Sequence, residues 1–232
     1  MAIRHKVVKA TLDRGYASEW NDDHHFDPED EIDYYVTFIE RALTDDWDTA
    51  QTTGATAPTV SLVNDHAFMT LDSTVDVGDI ASIRKELAGA VGNITDPDDL
   101  PVMTMTIRLV SPAGAGTTHE FGLFASATTP FTANQNGAYF RVVANVLYAV
   151  NGNGANESTT ALGSPNEYGV YRIEFTSTSI KFYVDDLENP VATHNTYITT
   201  SNLTMKLSTI GVAAGAQILR SDFVGLTRLR KH

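Results

Sequence analysis

The chain has 232 residues, of which 42% are hydrophobic, and a formal net charge of -13. This length fits one large β-domain with an appendage, and no apolar run approaches the roughly eighteen residues that a membrane span needs. The acidic excess disfavours nucleic-acid binding, which depends on Lys and Arg. The absence of cysteine excludes disulfides and thiolate nucleophiles.

The first 48 residues are strongly polarised in charge. Residues 1–14 carry four basic side chains against Asp13 alone, whereas residues 19–48 carry twelve acidic side chains against Arg41 alone. Such weakly hydrophobic segments do not bury enough apolar surface to fold by themselves. We therefore predict an extended N-terminal arm over residues 1–32 that becomes ordered on a partner. A merely disordered terminus is the alternative interpretation.

From Asp33 to residue 232 the sequence predicts one domain of short strands. The run DYYVTFIERAL fits a strand or a short helix, and its β-branched and aromatic content favours the strand. A turn-rich QTTGATAPT follows, and then TVSLV and HAFMTLDST read as strands joined at Asn64 and Asp65, which have hairpin-turn chemistry. The run IASIRKELAG is predicted as a further strand.

Strict alternation of apolar and polar residues follows the breaker DPDDLP. Met103, Met105, Ile107 and Leu109 fall on one face, as expected for a half-buried strand. The runs HEFGLFAS, GAYFRVV and NVLYAVNG are the next strands, and residues 151–160, NGNGANESTT, are predicted as a loop.

The stretch from Tyr171 to Ile198 predicts a three-stranded antiparallel meander. Tyr171, Ile173 and Phe175 alternate with polar residues, and after the turn TSTS the pattern repeats in IKFYV. A third short run begins at Val191. With LTMKLSTIGV and QILRSDFVGLTRLR the chain has about a dozen strands, which predicts an all-β, two-layer antiparallel sandwich.

The segments KFYVDD and PVATH in this meander resemble a hallmark of the concanavalin A-like (laminin-G-like) jelly-roll family, in which a strand x-F-Y-V-D-G precedes a tight turn. Asp186 stands where the family has Gly. The resemblance implies a jelly-roll domain at residues 33–232. It also implies a lectin-like or glycosidase-like function.

A second resemblance lies in the arm. The segment LDRGYASEWNDDHHFDPEDEI, residues 12–32, resembles a segment near the start of structural proteins from tailed viruses of bacteria and archaea. The residues expected to dock the arm are Tyr16, Trp20, Asn21, Asp23 and His24. The resemblance implies a non-enzymatic virion protein: a homo-oligomeric capsid decoration, turret, spike or tail component, bound to other virion proteins. The start MAIRHKVVKA lacks an apolar signal-peptide core, so we expect assembly in the host cytoplasm.

Glycan binding is the alternative function. Lectin-like proteins use loops or a concave sheet face, where aromatic rings and amides contact sugars. The candidate residues are Tyr139, Tyr148, Asn151, Asn153, Asn156 and Tyr183.

Hydrolysis is a minor alternative. Retaining glycosidases of this fold carry Glu-x-Asp-x-(x)-Glu on one strand, where alternate side chains share a face. Glu31 and Asp33 match the first half, but Tyr35 and Val36 occupy the place of the second Glu. The sequence therefore predicts no catalytic pair and no enzymatic activity.

No metal site is assigned from the sequence. The donor-rich residues Asp22, Asp23, His24, His25 and Asp27 lack the spacing of a calcium loop or a zinc site. No cofactor is predicted, although the jelly-roll resemblance implies that a structural calcium can occur at the end of the sandwich.

Overall fold

The computed structural model describes residues 32–37, 49–53, 58–63, 68–85, 95–110, 116–125, 129–212 and 215–228. Within them the chain forms fifteen β-strands and a short 3₁₀ turn at Pro97–Asp99. The first eight strands are β1 (Ile32–Thr37), β2 (Thr49–Thr53), β3 (Thr59–Val63), β4 (Phe68–Asp72), β5 (Ile80–Arg84), β6 (Val102–Val110), β7 (Thr117–Ala125) and β8 (Gly137–Val143). The others are β9 (Val146–Gly152), β10 (Glu157–Gly163), β11 (Tyr168–Phe175), β12 (Ile180–Val184), β13 (Ala192–His194), β14 (Leu203–Ile210) and β15 (Ile218–Arg228). No helix in these ranges is long and apolar enough to cross a membrane.

The strands form two antiparallel sheets. The eight-stranded sheet has the order β13-β12-β11-β6-β15-β4-β3, and β1 pairs with the second half of β15. The seven-stranded sheet has the order β10-β9-β8-β7-β14-β5-β2. One cluster of buried apolar side chains, contributed by both sheets, lies between them. The prediction of a two-layer antiparallel sandwich is therefore confirmed.

The strands with the clearest alternation contribute much of the core. Met103, Met105, Ile107 and Leu109 on β6 are all buried, and the residues between them are half-buried. The predicted meander is also confirmed, because β11, β12 and β13 are neighbours in that order. Successive side chains of a strand point to opposite faces, so the inward residues of β11, β12 and β13 belong to the same core.

The turn after β12 explains the departure from the family's glycine. Asp185, not Asp186, has the left-handed φ of 61°, a conformation that Asp tolerates better than most residues. Asp186 instead accepts the backbone N–H groups of Glu188 and Asn189 at 2.9 and 3.2 Å. An aspartate therefore fits this position, since the backbone there does not require glycine.

Two strands differ from the sequence prediction. The predicted loop 151–160 is the end of β9, a four-residue turn and the start of β10. Part of the predicted turn region QTTGATAPT belongs to β2. Both strands lie at edges of the seven-stranded sheet, and both are rich in Thr, whose β-branched side chain favours strands without giving an apolar alternation.

A buried histidine lies in the core. His119 on β7 has no exposed surface, and neither ring nitrogen has a hydrogen-bond partner. Burial lowers the pKa of His119 from 6.5 to about 3. The folded protein therefore holds this ring in its neutral form, while the unfolded chain can protonate it below pH 6.5.

We expect His119→Leu to make the protein more resistant to acid. Because the unfolded state binds the proton more tightly, the wild type loses stability as the pH falls from 6.5 towards 3. Each pH unit costs about 1.4 kcal/mol, so the wild type should lose about 3 kcal/mol by pH 4 through this residue. Urea unfolding of both proteins between about pH 7.5 and pH 4 measures the difference. A gap that stays constant over this range would contradict the prediction.

Candidate functional site

Three connections meet at one end of the seven-stranded sheet, and we call them the rim. They are the described part of the β7–β8 connection (129–136), the β9–β10 turn (153–156) and the β13–β14 connection (195–202). They meet because β7 and β9 end where β8, β10 and β14 begin, as antiparallel neighbours must. Loops at the end of a rigid sandwich are a common place for binding residues.

The β9–β10 turn carries two of the predicted sugar-binding residues. Asn153 accepts the backbone N–H groups of Ala155 and Asn156 on its Oδ1 atom, at 3.1 and 3.0 Å. Gly154 has a φ of 86°, which closes this tight turn. Asn153 and Asn156 are both exposed, so the structure places them at the rim surface.

The third predicted asparagine is buried and fastens the neighbouring connection. Asn151 donates from Nδ2 to the carbonyl oxygens of Thr196 and Tyr197, at 2.8 and 3.1 Å. Its Oδ1 is therefore the acceptor for His194 Nδ1, at 2.6 Å. The other nitrogen of that ring then accepts from the Thr160 hydroxyl, at 2.8 Å. Burial lowers the pKa of His194, in keeping with this neutral tautomer.

Tyr197 is an exposed aromatic residue on the connection that Asn151 holds. Its side chain is 44% exposed and its backbone is left-handed, with a φ of 53°. Asn136 holds the same connection, because its amide contacts Thr199 and donates to Ser201 Oγ at 2.8 Å. The exposed polar residues on the same connection are Asn195, Thr196, Thr200 and Asn202. The ring is thus presented on a hydrogen-bonded loop.

Tyr139 and Tyr148 lie on the outer face of the seven-stranded sheet, away from the core. Tyr139 is fully buried and stacks on Phe124, with ring centroids 4.6 Å apart. Its hydroxyl accepts from Arg141 Nη2 at 2.7 Å. Tyr148 is half-buried and packs against the same small cluster. Contrary to expectation, Tyr139 has no free ring face for a sugar.

Tyr183 lies on the outer face of the other sheet and is only 4% exposed. Its hydroxyl donates to Glu174 Oε2 at 2.9 Å, and the Arg172 guanidinium lies 5.2 Å from its ring centre. These contacts occupy the ring, so the expected exposure of Tyr183 is also corrected. The predicted tyrosines and asparagines therefore do not form one site.

A buried charged network joins the rim to the seven-stranded sheet. The Glu120 carboxylate accepts from Arg141 Nε at 2.9 Å and from Gln135 Nε2 at 2.6 and 2.7 Å. It also accepts the backbone N–H of Phe131 at 2.8 Å, and Arg141 pairs with Glu157 at 3.2 Å. Burial raises the pKa of Glu120, while Arg141 and the other donors oppose that rise. Because Phe131 and Gln135 belong to the rim, the network fixes the 129–136 connection to β7.

The predicted docking residues of the arm lie outside the described residues. These are Tyr16, Trp20, Asn21, Asp23 and His24. Within the part of the chain that the structure describes, no group of three or more His, Asp or Glu side chains could hold a metal ion.

Sequence reasoning missed Tyr197, which lies seven residues after the tight turn of the meander. The available signal was its setting in HNTYITTSN, where one aromatic residue stands among amides and hydroxyls. The same mixture had pointed to residues 151–160, and the structure brings these two segments together through Asn151.

No protein-family model and no curated protein sequence matches this chain. Solved structures are nevertheless similar to it. One concerns endo-acting O-glycanases that prominent members of the human gut microbiota express to initiate mucin breakdown; it has a TM-score of 0.58, 14% identity, and coverage of 85% of this chain and 99% of that one. The metal-free carbohydrate recognition domain of Emp46p has a TM-score of 0.56 and 12% identity, and the match covers 82% of this chain and 94% of that one. A native glycosidic hydrolase has a TM-score of 0.53 and 11% identity, and the match covers 84% of this chain and 94% of that one.

These identities are low, so the similarity concerns the fold. The chain has the concanavalin A-like, lectin-type β-sandwich, as the meander resemblance implied.

Proposed function

We propose that this chain is a glycan-binding module that holds sugar at the rim without hydrolysing it. The observation that carries the proposal is Tyr197, an exposed aromatic residue whose backbone is held by Asn151 on a connection that also carries exposed amides and hydroxyls. A sugar has an apolar face that an aromatic ring can cover and hydroxyl groups that amides can both donate to and accept from. The names of the similar structures, a carbohydrate recognition domain and O-glycanases, support the glycan-binding part of this proposal.

The proposed ligand is a neutral glycan. None of the residues in 129–136, 153–156 and 195–202 is charged, and the whole chain is strongly acidic. Sialylated or sulfated sugars would find no cationic partner in these connections. Recognition through hydroxyl groups should also depend little on ionic strength, since salt screens only charge interactions.

The loop that carries Tyr197 is held before any ligand arrives. Asn151 and Asn136 fasten it from two neighbouring connections, and Ser158 Oγ lies 2.8 Å from Thr196 Oγ1. A loop that is already ordered loses little conformational freedom on binding, and this favours affinity.

The non-enzymatic part of the proposal is supported by the state of Glu120. This carboxylate lies on the outer face of the seven-stranded sheet but is buried and engaged by Arg141, Gln135 and Phe131. A general acid or nucleophile must reach its substrate, and these contacts leave Glu120 in a structural role.

The virion role stays a prediction that rests on the arm resemblance. Residues 1–31 lie outside the described residues, so the site geometry concerns only the sandwich. If the arm attaches the chain to a particle, a glycan-binding rim is the part that would meet a host surface.

We expect Tyr197→Asn to lower affinity for a neutral glycan at least about tenfold, because an exposed aromatic anchor of this kind often dominates binding. Asn tolerates the left-handed backbone at this position. A glycan array identifies the ligand, and titration calorimetry on the best neutral hit measures the change. Tyr168→Asn is the matched control, since Tyr168 is 49% exposed and lies on β11 of the other sheet.

Two outcomes would contradict the proposal. One is an array without any neutral hit at high protein concentration. The other is a neutral glycan whose affinity falls equally, or not at all, in the Tyr197 and Tyr168 variants.

A further inference from the structure

A pocket of about 450 Å³ opens at the end of the sandwich opposite the rim. Its apolar lining includes Leu147, Leu162 and Val184, which also pack against the central core. Its mouth includes Val191, Asn166 and Asp185. Val191 is 44% exposed, so the apolar surface continues to the solvent. The pocket is open to solvent, and its lining surface is polar as well as apolar.

The Asp185 carboxylate is held in place at the mouth of this pocket. Its Oδ1 accepts the backbone N–H of Val170 at 2.9 Å, and its Oδ2 accepts from Asn166 Nδ2 at 2.7 Å. The backbone N–H of Asp185 donates in turn to Val170 O at 2.7 Å. A carboxylate can accept about four hydrogen bonds, so each oxygen retains capacity for a ligand.

The charge of Asp185 has no cationic partner within the part of the chain that the structure describes. Among the described residues, the Lys and Arg ion pairs involve other acids and none involves Asp185. The buried Tyr171 hydroxyl, on the strand next to Val184, has no hydrogen-bond partner. Burial raises the pKa of Tyr171, and the charge of Asp185 raises it further. The mouth of the pocket is therefore electronegative.

We propose that this pocket binds a small amphiphile with a protonated amine head and a short apolar tail. The tail would lie on Leu147, Leu162 and Val184, where part of its apolar surface is removed from water. The ammonium group would donate to the free lone pairs of Asp185, and the amide oxygen of Asn166 lies beside it as a second acceptor. An anionic head would meet repulsion at the same place. The site is separate from the rim, and its ligand class differs from a neutral glycan.

The test uses the full chain and three probes with the same tail: hexylammonium, hexanol and hexanoate. Methyl NMR spectra follow the signals of Leu147, Leu162 and Val184 during each titration. We expect saturable shifts with hexylammonium, which should bind about two- to fivefold more tightly than hexanol because exposed ion pairs are weak. Hexanoate should bind most weakly, and the preference should shrink at high salt.

Variants separate the charge from the apolar pocket. Asp185→Asn keeps a residue that tolerates the left-handed backbone and should bind hexylammonium and hexanol equally. Val191→Trp should obstruct the mouth and weaken both probes. Glu188→Gln is the matched control, because Glu188 is an exposed acid in the adjacent turn that does not line the pocket; it should retain the preference.

The proposal is overturned by an absence of saturable methyl shifts, by equal binding of hexylammonium and hexanoate, or by a preference that survives in Asp185→Asn. Wild-type glycan binding in these same samples reports on the rim separately, so failure at one site is distinguishable from failure at the other.

Discussion

Phe182→Ala should lower the free energy of unfolding by about 3 to 5 kcal/mol, the usual cost of removing a fully buried phenylalanine ring. The Phe182 ring has no exposed surface. It meets Phe140 edge-on, with centroids 5.5 Å apart and an interplanar angle of 84°, and it lies 5.2 Å from the His194 ring. Its loss would leave a cavity between the two sheets that rigid strands cannot close.

Urea unfolding followed by circular dichroism measures this change. Phe182→Leu is the graded comparison and should cost less, because it keeps most of the buried apolar volume. Val191→Ala, at an exposed position in the same meander, should change stability by less than about 0.5 kcal/mol. A similar small loss for Phe182→Ala would show that the ring does not support the core.

The core could be predicted from the sequence because several of its strands alternate clearly. In the middle of β6, from Met103 to Leu109, each inward residue is apolar and each outward residue is polar or charged, as in Met103, Thr104 and Met105. That period is a direct consequence of strand geometry. The local pattern therefore determined both the element and its buried face.

The edge strands could not be predicted in the same way. On β10, Ser158 and Thr160 take positions that a core strand would give to Val or Ile. They do so because these residues bond to Thr196 and His194 at the side of the sandwich. Such a strand is specified by tertiary contacts, which a local pattern does not contain.

The candidate site was predicted only in part for a related reason. Asn153 and Asn156 were found because amide-rich turns are visible in a sequence. Tyr139 was misjudged because alternation shows that it points away from the core, but not that Phe124 and Arg141 cover it. Tyr197 was missed because the loop that presents it is held by Asn151, which is distant in the chain. Exposure on an outer face is a property of the assembled fold.

Arg141 offers the sharpest test of how the rim is attached to the sheet. We expect Arg141→Met to lower the free energy of unfolding by about 3 to 5 kcal/mol, because it leaves a buried carboxylate without its cation. The Glu120 side chain is 0% exposed and that of Arg141 is 13% exposed. Arg108→Met is the matched control, since Arg108 and Glu167 are 38% and 70% exposed, and such a surface pair contributes about 0 to 1 kcal/mol.

The double variant Glu120→Gln with Arg141→Met identifies the cause. If the loss comes from the unpaired charge, removing that charge should recover much of the stability lost in Arg141→Met, giving a positive coupling in the double-mutant cycle. The pH dependence has the same origin. Without Arg141 the pKa of Glu120 rises further above its unfolded value, so protonation accompanies folding and the deficit should shrink as the pH falls towards about 4. A deficit that is independent of pH, and that Glu120→Gln does not relieve, would instead indicate that Arg141 contributes through the packing of its side chain on Tyr139.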